Sequence, residues 1–245
     1  MEPLKIGLSR TVKATHAGVL VIGLGQFGSA LALTMDNLGQ EVLAVDRNSR
    51  IVAQWAPRFP VVQADATDPD ALEQLGAAEF GVGVVGIASS LESSVLVTAN
   101  LVDLGIKQIW AKALSAKHAQ ILERIGANHI VNPEADAGAR VAHLVSGRML
   151  DYIEVEDGFT IVKMMSPKEM VGYTLEQSGV RMRYGVTIIG VKSPNQPFRF
   201  ANAETIISAY DIIVVSGAPQ DLERFASRPL VDPITPTAAE IVHGI

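Results

Sequence analysis

The sequence predicts an α/β fold, a doubly wound parallel sheet followed by a smaller α+β domain. Three observations carry this expectation. From Gly18 to Val131, short apolar runs alternate with amphipathic stretches that end in glycine, the pattern of strands buried on both faces and joined by crossover helices. Gly23-Leu24-Gly25-Gln26-Phe27-Gly28 directly follows the first run, and Asp46 ends the second. After Asp151 the runs become β-type, are separated by Pro and Gly turns, and lack crossover helices.

In chain order, Val19–Ile22 reads as the first strand, and Leu31, Met35 and Leu38 mark the buried stripe of a helix that ends at Gly39. The next strands are Val42–Val45 and Val61–Ala64. Asp68 before Pro69 supplies an N-cap and a first helical residue, and Ala71, Leu72 and Leu75 precede Gly76. Strand Val82–Ile87, helix Ser90–Leu104, strand Gln108–Ala111, helix Ser115–Ile125 and strand His129–Val131 complete the alternation. Asn132-Pro133 interrupts it, and Glu134–Leu150 reads as a long helix that links two domains. Strands Tyr152–Val155, Phe159–Met165, Val186–Val191 and Asp211–Val215 form the small domain. The expected organisation is an N-terminal arm at 1–17, a nucleotide-binding domain at 18–134, a linking helix at 135–150, a small domain at 151–227 and a mobile, proline-marked tail at 228–245.

Of the 245 residues, 48% are hydrophobic, enough for a packed core, so a wholly disordered chain is excluded. Twenty Lys and Arg against 26 Asp and Glu give a net charge of -6, which argues against a nucleic-acid partner. The absence of cysteine excludes disulfides, thiolate metal sites and Cys nucleophiles. No apolar run is long enough to span a membrane, and residues 1–17 lack the apolar centre of a secretory signal, so a cytoplasmic location is expected.

The glycine motif carries the chemistry. Gly23 permits a tight turn, Gly25 lets a pyrophosphate approach the backbone, Gly28 lets helix and strand pack closely, and the helix N-terminus presents free amides to phosphate. With Asp46 placed to accept from ribose hydroxyls, the pattern is that of a Rossmann-type site. Arg47 faces either an adenine or 2'-phosphate, or solvent. Asp65, Ala66 and Thr67 end the third strand at the ligand-binding edge, where Asp65 serves a ligand or a turn. Ile87, Ala88 and Ser89 permit close approach, with Ser89 also a candidate N-cap. Lys112, with His118 on the following helix, can neutralise phosphate charge or simply be solvated. The five histidines show no metal-ligand spacing, and no nucleophile elbow or Walker lysine is present. No histidine lies between Asp151 and Ser227 to act as a substrate-domain acid. The expectation is therefore a nucleotide held without chemistry, not an enzyme; the alternative is a small NAD-dependent oxidoreductase.

A resemblance sharpens this. Val21 to Gly28, Val42 to Asn48, Ala64 to Thr67, Ile109 to Ala113, Ile125 to Ala127 and Pro133-Glu134 are similar to the RCK (KTN) regulatory subunits of Ktr/Trk-type potassium uptake systems. Val180 to Gly185 resembles the small C-terminal RCK_C-like lobe, so the resemblance covers residues 17–227. It implies a gating-ring subunit whose N-lobe binds ATP or ADP, or NAD or NADH in some relatives. It also implies homodimers joined through the helix after Glu134, assembled into an octameric ring beneath a membrane potassium-translocating subunit at the inner face of the cell membrane. Carried over by motif, Asp46, Arg47 and Asn48 serve the ribose side, Asp65, Ala66 and Thr67 the adenine side, and Ile87, Ala88 and Ser89 the ligand's flank. Lys112, Ala113, Leu114 and His118 lie near it, and Glu134 at the dimer interface helps hold a divalent or sodium cation beside the phosphates. Arg181 marks the lobe in which some relatives bind cyclic di-AMP. Gln26 stands where ATP-binding relatives often carry Arg, and a neutral amide gives no charge-assisted phosphate bond, so the preference among ATP, ADP and NAD stays open.

Overall fold

The structure, a computed structural model, describes residues 18–145, 147–156 and 158–231. The expected arm at 1–17 and the chain beyond residue 231 lie outside them. Two compact units divide at Glu134/Ala135.

The first unit runs β1 Val19–Ile22, α1 Gln26–Asn37, β2 Val42–Asp46, α2 Ser49–Trp55, β3 Val61–Gln63, α3 Pro69–Gln74, β4 Val82–Val85, α4 Leu91–Asp103, β5 Gln108–Lys112, α5 Ala116–Ile125 and β6 His129–Val131. Its six strands are parallel in the order β3-β2-β1-β4-β5-β6, with Val19 level with both Val42 and Val82. The continuous apolar runs follow from burial on both faces. Leu20 and Ile22 pack with Leu72, Leu101 and Leu122, whereas Val19 and Val21 pack with Ala32 and Phe59. Chain direction across the sheet reverses between β1 and β4, so their carboxyl ends open a crevice there. Side-chain N-caps at Asn48, Asp68, Ser90 and Ser115 fix where four of the helices start.

Several boundaries differ from the sequence expectation, and three of them bear on the cleft or on the chain that leaves it. The fourth strand stops at Val85, short of Ile87, because Gly86 donates to Ile22 O and the chain then turns away over the glycine loop. The N-cap of α4 is Ser90, so Ser89 is left free of that role. The long helix, α6, spans Pro133–Val145 and ends before Leu150. Proline suits a first helical turn, and Gly147, at φ +73°, donates back to Leu144 O as the chain turns out.

The second unit contains β7 Asp151–Glu156, β8 Phe159–Met165, α7 Leu175–Ser178, α8 Val180–Tyr184, β9 Thr187–Lys192, β10 Arg199–Phe200, β11 Ile212–Gly217 and α9 Pro219–Ala226. Its antiparallel sheet has the order β10-β9-β11-β8-β7. Val162 and Met164 from β8 alternate into a core with Val215, Leu222 and Phe225. The start of the expected mobile tail is corrected. Pro229 O accepts from Lys168 N at 2.9 Å, Leu230 bridges Pro167, and Arg228 Nε donates to Tyr184 Oη at 2.9 Å, so residues 228–230 are tied to the unit. Among the described residues, no helix is long and apolar enough to cross a membrane.

Candidate functional site

The crevice at the carboxyl edge of β1, β2, β3 and β4 holds a cleft of about 270 Å³. Gly23, Gly25, Gln26 and Phe27 form its floor, Asp46 and Arg47 one side, Asp65, Ala66 and Thr67 another, and Ile87, Ala88, Ser89 and Lys112 the remainder.

The three motif glycines are required for different reasons. Gly23 sits at φ +89° and donates to Val45 O, which locks the turn to β2. A Cβ on Gly28 would lie 1.9 Å from Gly23 O, so the third glycine serves packing and does not line the cleft. Gly25 is different: its φ of -63° suits any residue, and a Cβ there would meet nothing within 4 Å. Nothing inside the chain demands glycine at that position. The space over the first-turn amides of α1 is therefore open on the cleft side.

Asp46 is held rigidly by the backbone. Its Oδ2 accepts from Leu24 N and its Oδ1 from Asn48 N, both at 2.8 Å. The carboxylate therefore braces the glycine loop while keeping lone pairs for ribose hydroxyls. Asn48 itself lies outside the cleft and caps α2 through Arg50 N. Asp65 folds a local turn: its Oδ1 accepts from Thr67 Oγ1 at 2.7 Å and Thr67 N at 3.0 Å, and these bonds hold its carboxyl below the usual range. Asp65 thus shapes the turn and also lines the cleft.

Lys112 is buried in the wall, with its ammonium 6.0 Å from the Phe27 ring centroid and 2.5 Å from Glu134 Oε1. The Lys112 hydrogen bond, and then the residue's own backbone N–H, hold Glu134 below the usual carboxylate range. Among the described residues no group of three or more His, Asp or Glu is arranged to hold a metal.

Several expected residues are not brought to the cleft. Ala113 is buried, and Leu114 is half-exposed and turned from the site. His118 is fully buried: Nδ1 accepts from Leu114 N at 3.2 Å, Nε2 has no partner, and burial pushes its pKa down. It is an interior group that shapes the β5–α5 turn and does not line the cleft. Arg181 lies in the second unit, where its Nε donates to Thr187 Oγ1 beside a separate cleft lined by Leu175, Val180, Ile188 and Asn202.

The TrkA-N domain family matches residues 19–133 and the TrkA-C domain family residues 159–229. Ktr system potassium uptake protein C of Bacillus subtilis (strain 168) is 34% identical over 212 residues, which covers 86% of this chain and 96% of the relative. The chain belongs to the Ktr potassium uptake protein family. Protein A of the same bacterium's Ktr system is 35% identical over 207 residues, covering 84% of this chain and 93% of the relative. Among solved structures, the GsuK channel bound to NAD superposes with a TM-score of 0.63 at 19% identity, over 89% of this chain and 41% of that one, and shares the fold.

In this Ktr family member the cleft also uses residues that sequence reasoning passed over: Ile22, Val45, Ile51, Gly86, Ser93 and Val97. Gly86 had a readable signal, a glycine ending an apolar strand. A Cβ there would lie 2.9 Å from Gly23 O and 3.3 Å from Gly28 Cα. Asn100 had none: its Nδ2 donates to both Ala66 O and Thr67 O at 3.1 Å, pinning the far wall from α4.

Proposed function

We propose that this chain is the nucleotide-sensing regulatory subunit of a potassium uptake system. It holds an adenine nucleotide between the α1 amides, Asp46 and the Asp65 turn, does no chemistry on it, and passes the ligand state to a membrane-embedded potassium-translocating partner. The observation that carries this reading is Gly25, a glycine with open space around it in a turn that Asp46 braces. Family membership supplies the transport context, and the cleft supplies the sensor.

Copies of the chain pair along α6 and assemble into a ring at the inner face of the membrane. Gating then requires that the nucleotide bind one ring shape better than another, with a coupling on the order of 1–3 kcal/mol, because equal affinity for both shapes shifts nothing. A cation at the phosphates would draw its ligands from Glu134 and the nucleotide itself. Arg181 marks a second effector site of cyclic-dinucleotide type in the other unit.

Calorimetric titration with ATP, ADP, NAD and NADH, with and without magnesium, tests the reading. At least one ligand binds the wild-type chain, and Gly25→Val, whose Cβ meets nothing within 4 Å, folds yet binds at least about tenfold more weakly. Unchanged binding by Gly25→Val would overturn the assignment. Steady turnover of NADH would move the chain among the oxidoreductases.

A further inference from the structure

Lys112 is a buried cation with a replaceable partner. Its side chain is only 6% exposed, whereas that of Glu134 is 67% exposed. A buried ammonium requires an anion beside it, and here Glu134 supplies one. Glu134 does not have the same dependence on Lys112. It follows Pro133 in the first turn of α6, where free amides favour a carboxylate, and its own backbone N–H already donates to it. The lysine is fixed in the wall of the cleft, and the glutamate has a second resting place on its own helix.

Phosphate entering over the α1 amides approaches the wall that Lys112 lines, and there two anions compete for one ammonium. We infer that, where no cation bridges Glu134 to the phosphates, the Lys112–Glu134 pair is an exchangeable latch: a bound nucleotide's phosphate takes Lys112, and the displaced Glu134 carboxylate turns to the first turn of α6. The inference rests on the nucleotide site proposed above and adds its regulation. The chain leaves the first unit through α6, which runs on to Val145, so phosphate occupancy is read at the start of that helix. The latch responds to phosphate and not to the nucleoside, because adenosine brings no charge to Lys112. Gln26 at the loop is neutral, and of the two cations that line the cleft, Arg47 and Lys112, Lys112 is the one buried against a carboxylate that a ligand can replace.

The test uses the full chain in EDTA, so that no metal contributes, and titrates ADP and adenosine. Glu134→Gln removes the competing charge while its amide oxygen can still accept from Lys112, and an unfolding curve confirms that the variant is folded before it is titrated. It is expected to tighten ADP at least about threefold and to leave adenosine unchanged. Lys112→Met is expected to weaken ADP about tenfold, and on that background Glu134→Gln has no further effect. If the wild-type chain binds ADP and Glu134→Gln binds it equally or more weakly, the latch is overturned. An equal gain for adenosine overturns it as well. If the wild-type chain binds none of the adenine nucleotides, the site assignment itself fails, and the two failures are distinct.

Discussion

The two units of this chain obtain their precision from different parts of the polypeptide. In the first, the important contacts are made by backbone: Gly23 N to Val45 O and Gly86 N to Ile22 O, both at 2.8 Å, with Gly28 pressed against Gly23 O. In the second, a side chain is the hub. Tyr184 Oη donates to Glu169 Oε1 at 2.6 Å and accepts from Arg228 Nε at 2.9 Å and from an Arg183 guanidinium nitrogen at 3.1 Å. The guanidiniums of Arg183 and Arg228 each lie 5.1 Å from its ring centroid. A site built from backbone holds its shape for a ligand that itself contacts backbone. A side-chain hub instead fastens distant segments, here residues 169, 184 and 228, into one small domain.

The largest expected effect breaks the backbone side of this comparison. Gly28→Ala puts a Cβ 1.9 Å from a carbonyl oxygen that cannot move without opening the turn. It should destabilise the chain by at least about 3 kcal/mol, measured by urea unfolding, whereas Gly25→Val should leave the unfolding midpoint nearly unchanged. Two glycines in one motif would then separate cleanly into a packing role and a ligand role. A well-folded Gly28→Ala chain would show that the helix and turn are less tightly joined than their contacts indicate.

The same comparison is sharpened from the other side by Tyr184→Phe. The ring keeps its packing against Phe225, with centroids 5.2 Å apart, but Glu169 and Arg228 lose the hydroxyl between them. The expected loss is about 1 kcal/mol, since the hydroxyl's hydrogen bonds go while Glu169 keeps its ion pairs to Arg183 and Arg228. Nucleotide affinity should not change, because the residue lies in the other unit. A measurable change in affinity would mean that the hub also serves the first unit's cleft.

This division explains what the sequence disclosed. The strands of the first unit and the glycine loop were legible because burial on both faces and close backbone approach each leave a local pattern. Asp46 was legible as well, since a carboxylate ending the strand after the loop has few other uses. Asn100 was not: an amide on one face of α4 gives no sign that it will pin Ala66 and Thr67. His118 was placed near the ligand because it follows Lys112, but helical geometry turns it into the interior. In the second unit the main strands could be read, whereas the Tyr184 hub, assembled from segments far apart in sequence, could not.

His118 gives the smallest predicted effect, and it is the first unit's own case of a side chain under constraint. Its Nδ1 accepts from Leu114 N, which leaves Nε2–H buried without an acceptor and the ring neutral. Burial lowers its pKa from the ordinary 6.5, so below that value the unfolded chain binds a proton that the folded chain resists. Stability contributed by the neutral ring is therefore complete above about pH 6.5 and declines as the pH falls towards the lowered folded value. His118→Gln keeps an acceptor for Leu114 N but removes the titration. The variant should be less stable than the wild type at about pH 8, where the histidine ring is uncharged in both the folded and the unfolded chain, and the gap should narrow by about pH 5 as the wild type loses its advantage. Parallel unfolding midpoints for the two proteins across that range would show that His118 is reached by solvent, and would place the β5–α5 turn among the looser parts of the first unit.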